Sequence, residues 1–540
     1  MKRKILLGTL GLFACFMLGC GGEKKEIPET QVSIEQSSEQ ESQTEDSDTQ
    51  NKEEEYMSTN VADYFEGVKG VLGYKGIDDT NPVMTQRFGA DPFAMVYGDR
   101  VYFYMTADEF EYNEKGEVIE NSYSKIKTIN VISTDDMVNF TDHGAIKVAG
   151  KDGAAKWANN SWAPAAAWKE IDGKPRFFLY FADAGGGIGV LQSDSPVGPF
   201  VDPLGKGLLR RDMENCGNVL WLFDPAVIVD DDGTGYIYFG GGVPQDKIAE
   251  PGTGRVAQLG DDMISIVGVP KALDVPYLFE DSGIHKFNNK YYYSYCSNWQ
   301  VDEEGTKKFG FVNAEICTLE SDNPMGPFVY KEKVLENPGK YCGLYGNNHH
   351  AIFNFKGDWY ITYHSRMVEK KMGIEHGYRS TSIDRFDIAE DGTIGVIKQT
   401  TTGRKQLKYV DAYAENNATM MAVMGGIDTA PISEEQGCDM IVTGIDTGDF
   451  IKVQGVDFGD VSPAKWNAMI RTCADKGQKC AIQIRIDKLY GDVLGYLEVT
   501  DADDFTKCQA ILEKEVTGVH DVFFIFSGNG YEMKSWSFEK

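Results

Sequence analysis

Short runs of aromatic and β-branched residues, separated by turns that contain Gly or Asp, recur along most of the chain, and amphipathic helical patterns are scarce. Such runs are typical of β-strands. Five of them repeat one pattern, a turn followed by an aromatic-rich run, at 99–105, 175–181, 235–240, 289–295 and 357–363. A β-sandwich does not need five distributed copies, and a solenoid repeats at shorter periods. The pattern therefore predicts an all-β fold with a five-bladed β-propeller, each copy being the same strand of one blade.

The repeat stops near residue 405, and a second pattern begins. Alternating or apolar runs at 448–455, 482–486 and 522–526 have the spacing of a compact β-sandwich. We therefore predict a propeller over 61–405 and a jelly-roll β-sandwich over 410–540, both of ordinary domain size.

The first residues predict export. Three basic residues at 2–4 precede an apolar stretch that ends at Gly19-Cys20. A small residue directly before a cysteine resembles the lipobox of bacterial lipoproteins. We predict a lipoprotein signal peptide over 1–20 and a cell-surface protein anchored through acylated Cys20, the alternative being an ordinary signal peptide and a secreted protein. Residues 21–60 are acidic and polar, with little to bury, and predict a disordered tether.

The formal charge of −30 narrows the choice of partner. Nucleic-acid binding needs clustered Lys and Arg, so the charge argues against it, and a polyanionic substrate would be repelled. A neutral polysaccharide or oligosaccharide meets no such repulsion. The cysteines beyond Cys20 show no metal-binding spacing, and we treat them as core thiols with no disulfide pairing assigned.

Three acidic residues stand in apolar surroundings where a strand begins: Asp91, Asp224 and Glu280. A charge is costly to bury there, which favours a functional role. Hydrolysis of a glycosidic bond with inversion needs one carboxylic acid and one carboxylate, and a third charge can hold the acid protonated.

Six motifs around these residues carry a family resemblance. The chain resembles glycoside hydrolase family 43, above all its arabinoxylan arabinofuranohydrolases and related xylosidases. The motifs are Phe-Gly-Ala-Asp-Pro-Phe at 88–93, Ser-Trp-Ala-Pro at 161–164, Trp-Leu-Phe-Asp-Pro-Ala-Val and the following residues at 221–233, Phe-Glu-Asp-Ser-Gly-Ile-His at 279–285, Gly-Asn-Asn-His-His at 346–350 and Gly-Tyr-Arg-Ser at 377–380.

The resemblance implies a role for each carboxylate: Asp91 is the general base, Glu280 the general acid, and Asp224 the residue that raises the pKa of the acid and orients it. It also implies a sugar pocket bordered by two aromatic side chains, with two residues that hydrogen-bond hydroxyls, and a calcium ion near the channel centre. The pocket residues are Trp162, Trp299, Asn347 and Arg379, and the calcium ligand is His349.

The C-terminal segment resembles carbohydrate-binding module family 6, through residues 448–459, 517–522 and 535–538. It departs from that family at Asn417-Ala-Thr419, where an acidic pair would hold calcium, and at Glu532 and Lys534, where sugar-binding residues are usual. The resemblance implies the sandwich fold and leaves sugar binding open.

These observations predict an inverting glycoside hydrolase that releases α-L-arabinofuranosyl groups from arabinoxylan or a related hemicellulose. A β-xylosidase of the same family and a non-catalytic surface glycan-binding lipoprotein are the alternatives. Insertions at 109–127 and 301–308 could wall the pocket.

Overall fold

The computed structural model describes residues 60–435, 437–472 and 479–540. The predicted signal peptide, the anchor at Cys20 and nearly all of the predicted tether lie outside the described residues.

Five antiparallel sheets follow one another along the chain, and each is one blade. In every blade the strands lie side by side in sequence order. The first strands of the five blades contact one another in a ring, so they line the central channel. Blade 1 has Ala90–Tyr97, Arg100–Thr106, Thr128–Thr134 and Phe140–Lys147; blade 2 has Trp162–Ile171, Lys174–Ala182, Gly187–Ser193 and Leu209–Arg210; blade 3 has Ala226–Val229, Gly235–Phe239, Gly254–Leu259 and Ile266–Leu273; blade 4 has Leu278–Phe287, Lys290–Ser297, Ile316–Ser321 and Val329–Leu335; blade 5 has His350–Phe355, Asp358–Ser365 and Ser380–Phe386.

The five repeated runs are the second strands of the five blades, which confirms the predicted propeller. Their continuous apolar character follows from burial on both faces. In the second strand of blade 2, Phe177 and Leu179 pack against blade 1, while Phe178 and Tyr180 pack against blade 3. A strand covered on both faces has no polar side, so it reads as an unbroken aromatic run.

A β-sandwich follows the propeller and confirms the second predicted fold. Two six-stranded sheets enclose a core in which Trp466, Phe524 and Trp536 pack together. One sheet contains Val410–Asp411, Val423–Gly425, Phe450–Asp457, Ala481–Ile486, Val493–Glu498 and Val519–Ser527; the other contains Asn416–Asn417, Asp428–Pro431, Met440–Thr443, Lys465–Thr472, Thr506–Ile511 and Tyr531–Glu539.

The sandwich is joined to blade 1 through the backbone. The short strand Met420–Met421 pairs antiparallel with Phe140–Lys147 and so becomes the fifth strand of that blade. Asp142, whose side chain is buried, pairs with Arg87 and accepts a hydrogen bond from Thr429 Oγ1 at 2.6 Å. Residues 59–540 accordingly form one compact unit.

The N-terminal end of this unit differs from the predicted boundary at residue 61. The 3-10 helix Val61–Phe65 packs on the sandwich, where Phe65 lies in a cluster with Phe523 and Ile525. The amide of Val71 donates to Gly448 O at 2.9 Å. The same cluster contains Val138 of blade 1, and farther along the chain Thr80 N donates to Thr401 O of the propeller at 2.7 Å. The sequence shows that Phe65 needs a cover but not which surface supplies it.

The helices are short: Glu303–Phe309, Gly339–Cys342 and Met367–Met372. Within the described residues, no helix is long and apolar enough to cross a membrane. Seven of the cysteines are free thiols in the described part of the chain, and Cys473 lies outside it.

Candidate active site

Four residues near the channel-side ends of blades 1 to 4 have left-handed backbone angles: Asp91 (φ 46°), Ala163 (φ 41°), Asp224 (φ 49°) and Asp281 (φ 67°). Residues other than glycine rarely adopt this backbone conformation, because it costs free energy. Residues that do adopt it cluster at functional sites. Backbone amides of three of them donate across to a neighbouring blade: Asp91 N to His364 Nδ1 at 3.0 Å, Ala163 N to Thr106 Oγ1 at 2.8 Å, and Asp281 N to Asp224 Oδ2 at 2.9 Å. Asp91, Ala163 and Asp281 lie where their strands shift register, and these strained positions bond each blade to its neighbour.

Asp91 is held as a carboxylate. It is 4% exposed, and its Oδ1 accepts from Arg379 Nη1 at 2.9 Å while its Oδ2 accepts from Thr106 Oγ1 at 2.7 Å. Burial by itself would raise the pKa of Asp91, but the guanidinium of Arg379 and the rings of His364 and His349 together outweigh it, and the pKa lies well below the usual range. An ionised carboxylate at this position can accept a proton.

Glu280 is in the opposite state. It is 8% exposed, and its Oε1 is buried without a hydrogen-bond partner among the described residues. Burial, followed by the negative charges of Asp281 and Asp91, raises the pKa of Glu280 to about 8. A carboxyl group that stays protonated near neutrality can donate a proton.

Asp224 lies beside Glu280 in the same buried cluster. Burial and the charges of Glu280 and Asp91 raise its own pKa well above the usual value. Its Oδ2 accepts the amide of Asp281, the residue directly after Glu280. Asp224 is thus placed to fix the backbone that carries Glu280, which fits the orienting role that the sequence predicts.

His349 lies among the carboxylates, as a calcium ligand at the channel centre would. Its Nε2 is 3.1 Å from Asp281 Oδ1, while its Nδ1 is 3.5 Å from Asp91 Oδ1 and 3.9 Å from Asp224 Oδ2. Carboxyl groups from two blades therefore face one edge of this ring. No group of three or more His, Cys, Asp or Glu side chains in the described ranges could hold a metal ion.

The four predicted sugar-pocket residues are placed unequally. Trp162 is half-buried, and its Nε1 donates to Tyr123 O at 2.9 Å. Arg379, whose side chain is only 5% exposed, contacts Asp91 and forms a bidentate pair with Asp108 at 2.9 and 2.8 Å. Most of its hydrogen-bonding capacity is thus spent on protein carboxylates.

The other two predicted pocket residues, Trp299 and Asn347, have different contacts. Trp299 packs its partly buried ring against the cluster around Cys296 and Ile352. Asn347 is half-buried, and its carbonyl oxygen accepts from His364 Nε2 at 2.8 Å.

Several residues of the site were not predicted from sequence. Asp281 accepts from the backbone amide of His350 at 3.2 Å and from its Nδ1 at 2.5 Å, and it lies 3.1 Å from His349 Nε2. Asp108 fixes Arg379, and His364 supports the amide of Asp91. A signal existed only for Asp281, which directly follows Glu280 in its motif. The others are polar residues inside or next to ordinary strands, whose partners lie hundreds of residues away.

A propeller that buries two carboxyl groups at its channel, one paired with an arginine and the other without a hydrogen-bond partner among the described residues, has the base and the acid that a glycoside hydrolase needs. Comparisons with known proteins agree with that class. Residues 79–394 match the family "Glycosyl hydrolases family 43", and residues 417–540 match "Carbohydrate binding module (family 6)". The chain belongs to glycosyl hydrolase family 43, and the predicted family and enzyme class are confirmed.

Two relatives are similar over most of the chain. An arabinoxylan arabinofuranohydrolase of Paenibacillus polymyxa is 44% identical over 479 residues, covering 85% of this chain and 74% of the relative. One of Bacillus subtilis is 43% identical over 485 residues, covering 86% and 93%. The crystal structure of a family 43 arabinoxylan arabinofuranohydrolase from Bacillus subtilis in complex with cellotetraose has a TM-score of 0.82 at 41% identity, covering 87% of this chain and 99% of that one.

Proposed function

We propose that this protein hydrolyses α-L-arabinofuranosyl groups from arabinoxylan with inversion of configuration. The observation that carries the proposal is the contrast between two buried carboxyl groups in one site. Asp91 accepts hydrogen bonds from Arg379 and Thr106. Glu280 Oε1 has no hydrogen-bond partner among the described residues, and burial raises the pKa of this side chain. Relatives above 40% identity that are named for this activity support the substrate.

In the proposed mechanism the bond is cleaved in one step. Asp91 accepts a proton from a water molecule, whose oxygen attacks the anomeric carbon, while Glu280 donates its proton to the departing glycosidic oxygen. Arg379 and Thr106 keep Asp91 ionised and aligned, and Asp224 orients Glu280 through the amide of Asp281. The products are arabinose of inverted configuration and the polysaccharide without that side group.

Calcium is part of the proposal only as a resident charge. His349 would hold the ion through Nδ1, and a positive charge there would help to keep Asp91 ionised. Calorimetric titration of calcium into wild type and His349→Ala, each first treated with a chelator, tests this directly. Equal heats from the two proteins would refute His349 as a calcium ligand.

Activity is tested on wheat arabinoxylan, an aryl α-L-arabinofuranoside and an aryl β-D-xyloside. We expect Asp91→Ala and Glu280→Ala to lose release of arabinose from arabinoxylan, while Asp322→Ala, which removes an exposed carboxylate, retains it. Proton NMR of the first product should show the inverted anomer. Equal release by wild type and both site variants would overturn the enzyme mechanism, and a retained anomer would overturn the role of Asp91.

β-Xylosidase activity is the second candidate. A "Xylosidase/arabinosidase 43A" of Humicola insolens is 30% identical over 362 residues and supports it. A higher kcat/KM on the xyloside than on the arabinofuranoside would favour this activity.

We further propose export and attachment to a membrane surface through Cys20, supported by the apolar stretch and the small residue before this cysteine. Labelled palmitate should enter the wild-type protein and not Cys20→Ala when each is expressed in a bacterial host. Equal labelling would refute the anchor.

A further inference from the structure

The insertion between the second and third strands of blade 1 is fastened beside Arg379. The hydroxyl of Tyr378 accepts from Glu111 N at 2.8 Å and donates to Ile119 O at 2.9 Å. The amide of Asn121 donates to His376 O at 2.8 Å. These hydrogen bonds hold the insertion in place at the rim of the site, although most of it forms no regular strand or helix.

One side chain of this insertion, Tyr123, lies between residues of the site. Its ring centroid is 4.8 Å from the guanidinium carbon of Arg379 and 6.4 Å from the ring of Trp162, which it meets edge to face. Its carbonyl oxygen accepts from Trp162 Nε1 at 2.9 Å. Its backbone is left-handed at φ 58°, and its amide donates to Asn121 Oδ1 at 3.0 Å. Tyr123 thus joins two residues that the sequence predicted for the sugar pocket.

The hydroxyl of Tyr123 has no hydrogen-bond partner among the described residues, whereas other tyrosines around the site, such as Tyr378 and Tyr363, donate to carbonyl or carboxylate oxygens. Burial raises the pKa of Tyr123, and the nearby charges of Asp108, Asp91 and Glu280 add to this effect while Arg379 opposes it. A hydroxyl that has no partner among the described residues and lies near both the predicted base and the predicted acid can donate a hydrogen bond to a sugar hydroxyl.

We propose that Tyr123 is a substrate-binding residue whose hydroxyl donates a hydrogen bond to the pentose held between Asp91 and Glu280, while its ring and that of Trp162 form one wall of the subsite. The inference rests on the proposed function and deepens it. A neutral pentose presents hydroxyl acceptors at its edge and C–H groups on its face, which match a free phenol and an aromatic wall.

The sharpest test is Tyr123→Phe. This substitution keeps the ring over Arg379, the left-handed backbone and the carbonyl that holds Trp162, and it removes only the hydroxyl. We expect KM for an aryl α-L-arabinofuranoside, and the inhibition constant of free arabinose, to rise together by about three- to tenfold, the effect of one lost neutral hydrogen bond. Tyr123→Ala also opens the wall and should lower kcat/KM further.

Tyr112 supplies the matched control, because it lies in the same insertion with an exposed side chain. Tyr112→Phe should leave both constants at their wild-type values. Unchanged constants in Tyr123→Phe would overturn the inference. If wild type cleaves the xyloside instead, the same comparison is made with xyloside and xylose, so the substrate proposal fails while Tyr123 is still tested. Wild type inactive on both pentosides would overturn both proposals.

Discussion

Replacing Glu280 by Gln should abolish turnover of arabinoxylan and, at the same time, stabilise the fold in a pH-dependent way. The side chain is buried, and its pKa is raised from 4.5 to about 8 by burial and by the charges of Asp281 and Asp91. Between these two values the unfolded chain releases the proton and the folded chain retains it. Unfolding is therefore increasingly favoured as pH rises from 4.5 to about 8, and the effect is constant above that.

The magnitude follows from the two pKa values. Glu280 lowers the free energy of unfolding by about 1 kcal/mol at pH 5 and by about 4 kcal/mol at pH 8. Gln has nearly the same shape and does not ionise, so it removes this contribution. Any cost of burying the amide is the same at both pH values, and only the difference between them, about 3 kcal/mol, reports on ionisation.

Urea unfolding of wild type and Glu280→Gln at pH 5 and pH 8 measures that difference. Glu114→Gln, at an exposed position of the rim insertion, controls for loss of a surface charge. A gain in stability that is equal at the two pH values would refute the raised pKa of Glu280, and with it the physical basis for calling this residue the acid.

Three further outcomes are expected. The kcat/KM of wild type should fall about tenfold per pH unit above pH 8, because Glu280 loses its proton there. Glu280→Ala, assayed on an aryl arabinofuranoside with a good leaving group, should not show this fall. A fall in both proteins would contradict the assignment of Glu280 as the acid. Asp108→Asn removes one of the two carboxylate oxygens that hold Arg379, and the displaced guanidinium should disturb Asp91. We expect kcat to fall by about 10- to 100-fold with little change in KM. A change in KM alone would show that Arg379 binds sugar instead. Deleting residues 417–540 removes the strand Met420–Met421 from blade 1 and should yield aggregated or protease-sensitive protein, whereas a soluble, fully active propeller would show that this strand is dispensable.

The three carboxylates were predictable because each interrupts an apolar run within a motif. Their relation to one another was not: Asp91, Asp224 and Glu280 lie on three blades, and only closure of the propeller brings them together. Arg379 shows the limit of residue-by-residue reasoning. The family resemblance implies that Arg379 hydrogen-bonds the sugar. In the structure the guanidinium of Arg379 lies between the carboxylates of Asp91 and Asp108.

The sequence by itself determined the fivefold repeat and the two folds, because a continuous apolar run or an alternating one records whether a strand is buried on both faces or on one, and this is a local property. Tertiary structure alone decided which surfaces meet. It placed Val61–Phe65 on the sandwich, gave a sandwich strand to blade 1, and set Tyr123 over Arg379. It also gave Asp91 and Glu280 opposite protonation, since a pKa depends on charges and burial contributed by residues far apart in the chain.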